Sequence, residues 1–323
     1  MNTFQNEINV RVASIALVAV DICMFELVAE DGASLPPFSA GSHVDVTVDG
    51  TTRQYSLCND PSENHRYQIA VLKDSAGRGG SVKMHERVKA GDTIRISAPR
   101  NHFHLASGAQ QHLLLAGGIG VTPILCMAER LASIDSEFEM HYCARSPERA
   151  AFVPRVQQSG FADKVRFHFD NGPEEDKLDI PALLKTPKAG THVYVCGPKG
   201  FMNAVLDTAR ENGWPEDQLH YEFFASDAAA PREDDGSFQV KLASSGRVIP
   251  VRAEQTVTEA LAEAGVDVGT SCMQGICGTC ITRVLEGTPD HRDMYFSPEE
   301  QAANDQFTPC CSRSLTPLLV LDL

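Results

Sequence analysis

The stretch TSCMQGICGTC, residues 270–280, places three cysteines within eleven residues and separates them mostly with small side chains. Cys272, Cys277 and Cys280 follow the spacing C-x4-C-x2-C, and Cys310 and Cys311 stand far downstream. That is the plant-type ligand order of a [2Fe–2S] cluster, in which four thiolates hold two irons bridged by sulfide. Gly275 and Gly278 let the backbone curl around such a cluster and turn N–H groups towards its sulfurs. A structural zinc site usually presents two close cysteine pairs, whereas here a triplet has one distant partner. Zinc and merely buried thiols are the alternatives. Spacing alone leaves the fourth ligand open between Cys310 and Cys311. The other five cysteines, Cys23, Cys58, Cys126, Cys143 and Cys196, lie in or beside strand and helix runs and read as core thiols.

Working outward, SFQVKLASSGRVIPV reads as a hairpin with Ser-Gly at its turn. TVTEALAEAG has Thr256 and Glu259 at capping-box spacing and ends at Gly265, a C-terminal glycine. With the cysteine loop and a last strand, LLVLDL, these make a compact α+β module over 237–323. Before it, ASDAAAPREDDG is rich in Ala, Asp and Pro and has no periodicity, so 227–236 reads as a linker. Over 105–226, strand runs such as HLLLAGG, EMHYCA and THVYVCG alternate with helical patterns such as TPILCMAERLAS and KGFMNAVLDTAREN. That alternation predicts a parallel sheet covered on both faces. Residues 1–104 carry short strands between Gly, Asp and Pro, including HVDVTVDGTTRQYSL with Asp49-Gly50 at a two-residue turn. They predict an antiparallel barrel.

The chain has 323 residues, enough for three domains, and an ordinary apolar content of 42 %. Its longest apolar runs are strand-length, far short of a membrane span. No basic segment followed by an apolar one opens the chain, so no secretion signal is read. Ten cysteines without such a signal point to the reducing cytoplasm, where clustered cysteines mean metal or catalysis. A net charge of −15 argues against nucleic acid and anionic membrane as partners and suits a partner with a basic patch.

Two strand-end loops carry the next signal. In AGGIGVTPI, Gly118 and Gly120 let a dinucleotide approach the backbone, with Thr122 predicted as N-cap and Pro123 at the first helical position. The loop lacks the third glycine of G-x-G-x-x-G, and a plain tight turn is the alternative reading. VYVCGPKGFM repeats the arrangement with Cys196, Gly197 and Pro198. Both loops fall at the carboxyl edge of the sheet, where open α/β folds bind ligands. In RQYSL, Arg53 and Tyr55 share one face of a strand and suit a phosphate and a flat ring, although a surface strand could carry the same residues by chance.

Taken in order, RQYSLCN, GRGGS, GGIGVTP, CGPKGFM, YEFF, CMQGICGTC and CCSRS resemble the phthalate dioxygenase reductase family of the ferredoxin–NADP reductase superfamily. The resemblance covers nearly the whole chain, and the order flavin, nicotinamide, ferredoxin is that family's. It implies an FMN-binding barrel, an NAD-binding α/β domain and a C-terminal β-grasp [2Fe-2S] domain. Arg53 is expected on the flavin phosphate, with Arg78, Gly79, Gly80 and Ser81 assisting. Tyr55, Ser56 and Leu57 are expected at the flavin ring, and Phe224 is expected to cover it until nicotinamide arrives. The two glycine loops are expected to hold NADH, NADPH being left open by Arg145 and Ser146 after EMHYCA. The family's C-x-S-R ending makes Cys310 the ligand.

The chemistry implied is electron transfer. NADH supplies two electrons as a hydride, the cluster takes one at a time, and FMN serves both. Ser56 and Phe224 are the residues expected closest to that transfer. The expected acceptor is a Rieske-type terminal oxygenase that hydroxylates or O-demethylates an aromatic acid. This chain has no Rieske C-x-H…C-x2-H pair of its own. A reductase serving a phthalate, arylsulfonate or quaternary-amine oxygenase is an alternative, and a metal-binding module without turnover is another. Asp290, His291, Arg292 and Asp293 read as a solvated charged loop.

Overall fold

A computed structural model describes residues 7–75, 77, 79–224, 235–270 and 272–323. The chain divides into two compact units, within Asn2–Phe224 and Ala225–Leu323. Arg78 and residues 227–234 of the expected linker lie outside the described residues.

The first unit begins with β1 (Glu7–Ala19), β2 (Ile22–Ala29), β3 (Ser42–Val48), β4 (Thr51–Ser56) and β5 (Tyr67–Leu72), then helix α1 (Gly80–Arg87), β6 (Thr93–Ser97) and β7 (Arg100–Asn101). These strands pair antiparallel in the order β4-β3-β6-β1-β2-β5, with β7 on β3. The β3–β4 turn is Asp49-Gly50, with φ of 46° and 73°, the two positive values that a type I′ hairpin turn needs. An antiparallel bridge from Leu57 to Ile69 joins the two ends, so the sheet curls into a barrel. Inward residues Val10, Val12, Phe25, Leu27, Val44 and Val46 fill it, and Met84 of α1 adds to that core.

The chain continues through β8 (Gln111–Gly117), α2 (Val121–Ser133), β9 (Phe138–Ala144), α3 (Val153–Gln157), β10 (Val165–Phe169), α4 (Ile180–Leu184), β11 (Thr191–Cys196), α5 (Lys199–Glu211) and β12 (Leu219–Glu222). The five strands are parallel in the order β10-β9-β8-β11-β12. Being covered, β8 is a continuous apolar run, with Leu113 to Ala116 all buried. The strand order reverses between β8 and β11, which places a topological switch point where the two glycine loops emerge.

One local expectation is corrected. A 3-10 turn, Gly118–Gly120, precedes α2, so Thr122 and Pro123 are its second and third residues rather than cap and first position. The Thr122 hydroxyl donates to the Ile119 carbonyl at 3.1 Å and braces that turn instead.

The second unit runs β13 (Phe238–Leu242), β14 (Val248–Val251), α6 (Val257–Glu263), β15 (Thr282–Glu286), β16 (Pro289–Asp290), α7 (Pro298–Ala303), β17 (Gln306–Phe307), β18 (Arg313–Ser314) and β19 (Leu318–Leu321). Its mixed sheet, β14-β13-β19-β15-β17, packs on α6 through Val257 and Leu261, a β-grasp arrangement. The expected capping box is present: Glu259 N–H donates to Thr256 Oγ1 at 3.2 Å, and Thr256 N–H donates to Glu259 Oε2 at 2.9 Å. Gly265, at φ 77°, ends the helix.

Candidate functional site

Strand β4 sets out the first group. Arg53 and Tyr55 share a face, and the Arg53 side chain lies across the start of α1. A Cβ on Gly80 would come within 2.7 Å of Arg53 Cγ, so only glycine admits the guanidinium there. Gly79, at φ 78°, turns the chain into the helix. Ser81 Oγ accepts from the Asp74 amide at 3.0 Å and so belongs to the loop's own bonding. Burial pushes the Tyr55 phenol up to about 12 against the opposing pull of Arg53, so it stays a neutral ring. Leu57 is fully buried in the barrel core, and its amide donates to the Ser42 carbonyl, which makes it a closure residue.

Ser56 leads from the barrel to the parallel sheet. Its hydroxyl donates to Glu222 Oε2 at 3.3 Å, at the carboxyl end of β12. Burial pushes the Glu222 carboxyl up to about 7, with the Ser56 hydrogen bond opposing the shift. His43 Nδ1 lies 3.8 Å from Glu222 Oε1. Burial and then the nearby Arg100 charge push the His43 imidazole down to about 4. Phe224, two residues past Glu222, is half-buried against the core that Cys196 shares. Glu222 and His43 were not singled out in the sequence. YEFF marked the place, but no local pattern links a carboxylate there to a histidine on β3.

The two glycine loops meet backbone to backbone. A Cβ on Gly120 would collide with the Cys196 carbonyl and lie 2.6 Å from Gly197 N, and one on Gly197 would lie 2.9 Å from Gly117 Cα. These glycines serve loop packing first. Gly118 differs: its φ is 52° and a Cβ there would meet nothing within 4 Å, which leaves open space over the turn. Thr122 and Pro123 are buried beneath it. Pro198 caps α5. Cys196 is fully buried and paired in register with Glu222, and burial raises its thiol well above the ordinary value, so it is no nucleophile.

In the second unit Cys272, Cys277, Cys280 and Cys310 are all buried. Their thiols form a chain of neighbours within hydrogen-bonding reach, Cys277 to Cys272 to Cys310 to Cys280. Contact with Cys272 and then burial push the Cys277 thiol up, as crowding of sulfurs in a buried loop does. Among the described residues no three His, Cys, Asp or Glu side chains converge on a site for one metal ion. A donor set of three thiols close in sequence and one far downstream is the plant-type set for two irons, whereas zinc usually takes two close pairs. Cys311 touches Cys310 and also bonds to Thr308 Oγ1 at 3.2 Å, with its sulfur packed against Gly275 of the same loop. Gly275 and Gly278 both have φ of 69°, and a Cβ on either would collide, with Cys311 Sγ in the first case and the Tyr295 ring in the second. The loop is therefore a cradle closed to larger residues, and the donor set fits the cluster.

The 290–293 segment is not a solvated loop. The side chains of His291, Arg292 and Asp293 are 8 %, 6 % and 0 % exposed. Arg292 donates to Asp290 Oδ2 at 2.7 Å and to Asp235 Oδ2 at 3.0 Å, and Arg313 lies 3.6 Å from Asp235. Opposite charges in mutual contact allow this burial, and the run of four letters gave no sign of a partner as distant as Asp235.

Comparison with known proteins places these features. The 2Fe-2S iron-sulfur cluster binding domain family matches residues 240–315, and the dimethylamine monooxygenase subunit DmmA-like N-terminal domain family matches 93–219. A vanillate O-demethylase oxidoreductase of Pseudomonas sp. (strain HR199 / DSM 7063) is 56 % identical over 98 % of this chain and all of its own. The phthalate dioxygenase reductase of Burkholderia cepacia is 39 % identical over 98 % of this chain and 97 % of its own. A solved phthalate dioxygenase reductase, described as a modular structure for electron transfer from pyridine nucleotides to [2Fe-2S], matches over the full length of both chains at 38 % identity and TM-score 0.81. An intact type IV self-sufficient cytochrome P450 monooxygenase matches 98 % of this chain with 41 % of its own, at 38 % identity and TM-score 0.81. No helix among the described residues is long and apolar enough to cross a membrane. The chain belongs to the phthalate dioxygenase reductase family, and it is an iron–sulfur oxidoreductase of that modular build.

Proposed function

We propose that the chain is the reductase of a vanillate O-demethylase, carrying electrons from NADH through FMN and its [2Fe-2S] cluster to a separate Rieske-type oxygenase. The observation that carries the reading is the 3.3 Å contact between Ser56 of the barrel and Glu222 at the carboxyl edge of the parallel sheet. It brings the strand suited to a flavin against the edge suited to a dinucleotide. Three vanillate O-demethylase oxidoreductases share 56 %, 58 % and 48 % identity with it, and four reductases named for other substrates share 43 %, 42 %, 39 % and 39 %.

On this reading 1–104 binds FMN, 105–226 binds NADH and 237–323 holds the cluster. FMN, when bound, accepts a hydride and passes electrons on singly. Arg53, with Arg78 and the amides of Gly79 and Gly80, holds its phosphate. Tyr55 supplies a neutral aromatic face, and Ser56 offers a hydroxyl oriented by Glu222. Phe224 covers the ring and excludes water until nicotinamide displaces it. Gly118 admits the nucleotide backbone, and the Gly197-Pro198 turn closes the other side. Cys272, Cys277, Cys280 and Cys310 are the cluster ligands. A cytoplasmic place suits a chain whose cysteines serve as cluster ligands and buried thiols.

The test is a visible spectrum before and after anaerobic NADH, for the wild type and Cys277→Ser. Flavin and iron–sulfur bands bleach together in the wild type; in the variant only flavin remains and bleaches. With the oxygenase component of a vanillate O-demethylase present, NADH oxidation couples to vanillate demethylation. A colourless zinc protein, or coupling to a phthalate oxygenase alone, overturns the proposal.

A further inference from the structure

Asp293 stands out within the second unit. Its side chain is wholly buried. Oδ2 accepts the amides of Tyr295 and Phe296 at 3.2 and 2.9 Å, and Oδ1 accepts the Ser312 hydroxyl at 3.4 Å and faces His291 Nδ1 at 3.4 Å. Both amides and the Ser312 hydroxyl use it as an acceptor, the pattern of a carboxylate. Among the described residues no lysine or arginine pairs with it, because Arg292 turns towards Asp235 and Asp290.

Its backbone is held as well. Asp293 Cα and Cβ each lie 2.9 Å from where a Gly275 Cβ would stand, and the next amide, Met294 N–H, donates to the Gly275 carbonyl at 3.0 Å. Ser312, on the other side, accepts the Arg292 amide at 3.2 Å and sits beside the Cys310-Cys311 turn. Asp293 thus packs its Cα and Cβ against the loop that carries Cys272, Cys277 and Cys280, while its carboxylate holds Ser312 beside the turn that carries Cys310.

We infer that Asp293 is a positioning residue of the [2Fe–2S] site that clamps these two ligand segments together and, through a buried carboxylate that no lysine or arginine faces among the described residues, holds the cluster at a lower reduction potential. The inference rests on the cluster reading above. An electron arriving beside a fixed negative charge is raised in energy, and more so where little water screens it. The reduced chain becomes a stronger donor, which suits a protein whose role is to hand electrons on.

The test is a redox titration of the cluster in the purified holoprotein, with iron content and thermal melting measured alongside. Asp293→Asn keeps the shape and one acceptor oxygen while removing the charge. It retains iron and becomes easier to reduce by at least tenfold in the reduction equilibrium, about 59 mV for a one-electron couple. Ser312→Ala removes one hydrogen bond but keeps the charge, and shifts that equilibrium less than threefold. A fully loaded Asp293→Asn protein within twofold of the wild type overturns the inference. Should that variant lose iron, Asp293→Glu decides: loading at wild-type potential supports a required carboxylate, and an unfolded domain in both variants reduces Asp293 to a folding residue and overturns the inference. A wild-type protein without iron and sulfide would instead refute the cluster reading.

Discussion

Replacing Glu222 with glutamine should stabilise the first unit at alkaline pH and leave it nearly unchanged in acid. The carboxyl titrates at about 7 in the fold against an ordinary 4.5. The folded chain therefore binds this proton more tightly than the unfolded chain. Stability falls as pH rises from 4.5 to 7, and above that the whole penalty is present. At 1.36 kcal/mol per pH unit, the gap between about 7 and 4.5 is about 3 kcal/mol. Integrated over the titration, the carboxylate costs about 1 kcal/mol at pH 5 and about 3 kcal/mol at pH 8. Glutamine keeps an oxygen for the Ser56 hydroxyl and escapes that cost. Burial lowers the value of His43, which faces Glu222, and so makes stability rise with pH; this background is shared and cancels on subtraction. The single tryptophan, Trp214, is buried with its Nε1–H on the Leu184 carbonyl, so its fluorescence follows unfolding of this unit. Urea titrations at pH 5 and pH 8 should show the variant's advantage growing by about 2 kcal/mol. An advantage that is the same at both values, or a variant less stable at pH 8, refutes the argument that Glu222 is buried at a cost.

Two further outcomes follow from packing. Arg292→Ala removes the nearest cation from the buried Asp235, which keeps Arg313 beside it, and from the part-exposed Asp290, and should destabilise the second unit by about 1–3 kcal/mol, read by calorimetry; a loss under about 0.5 kcal/mol contradicts a contribution from this ion pair. Gly118→Ala should cost only about 1–2 kcal/mol for its left-handed backbone yet raise the KM for NADH severalfold, whereas Gly120→Ala should lower the melting temperature by pushing apart the loops after β8 and β11. An unchanged KM in the first variant removes Gly118 from the nucleotide site.

Patterns that depend on near neighbours in the chain were legible without coordinates. The C-x4-C-x2-C spacing, the Asp49-Gly50 turn, the Thr256–Glu259 capping box and the alternation of apolar strands with helices each rest on forces acting over a few residues. They were enough for three kinds of domain and for the chemistry of the cysteine loop. Glu222 and His43 were not legible, and Arg292 and Asp293 were misread, for one physical reason. Each depends on burial beside a residue far away in sequence: Ser56 for Glu222, Ser312 for Asp293, Asp235 for Arg292. The same distinction divides the glycines. Sequence shows that Gly118 and Gly120 lie in a loop, and only the register of β8 beside β11 shows that one faces open space and the other the Cys196 carbonyl. Composition and spacing specify which ligands and turns a chain can form; the tertiary structure decides which charges lose their water, because desolvation is set by what the fold brings alongside them.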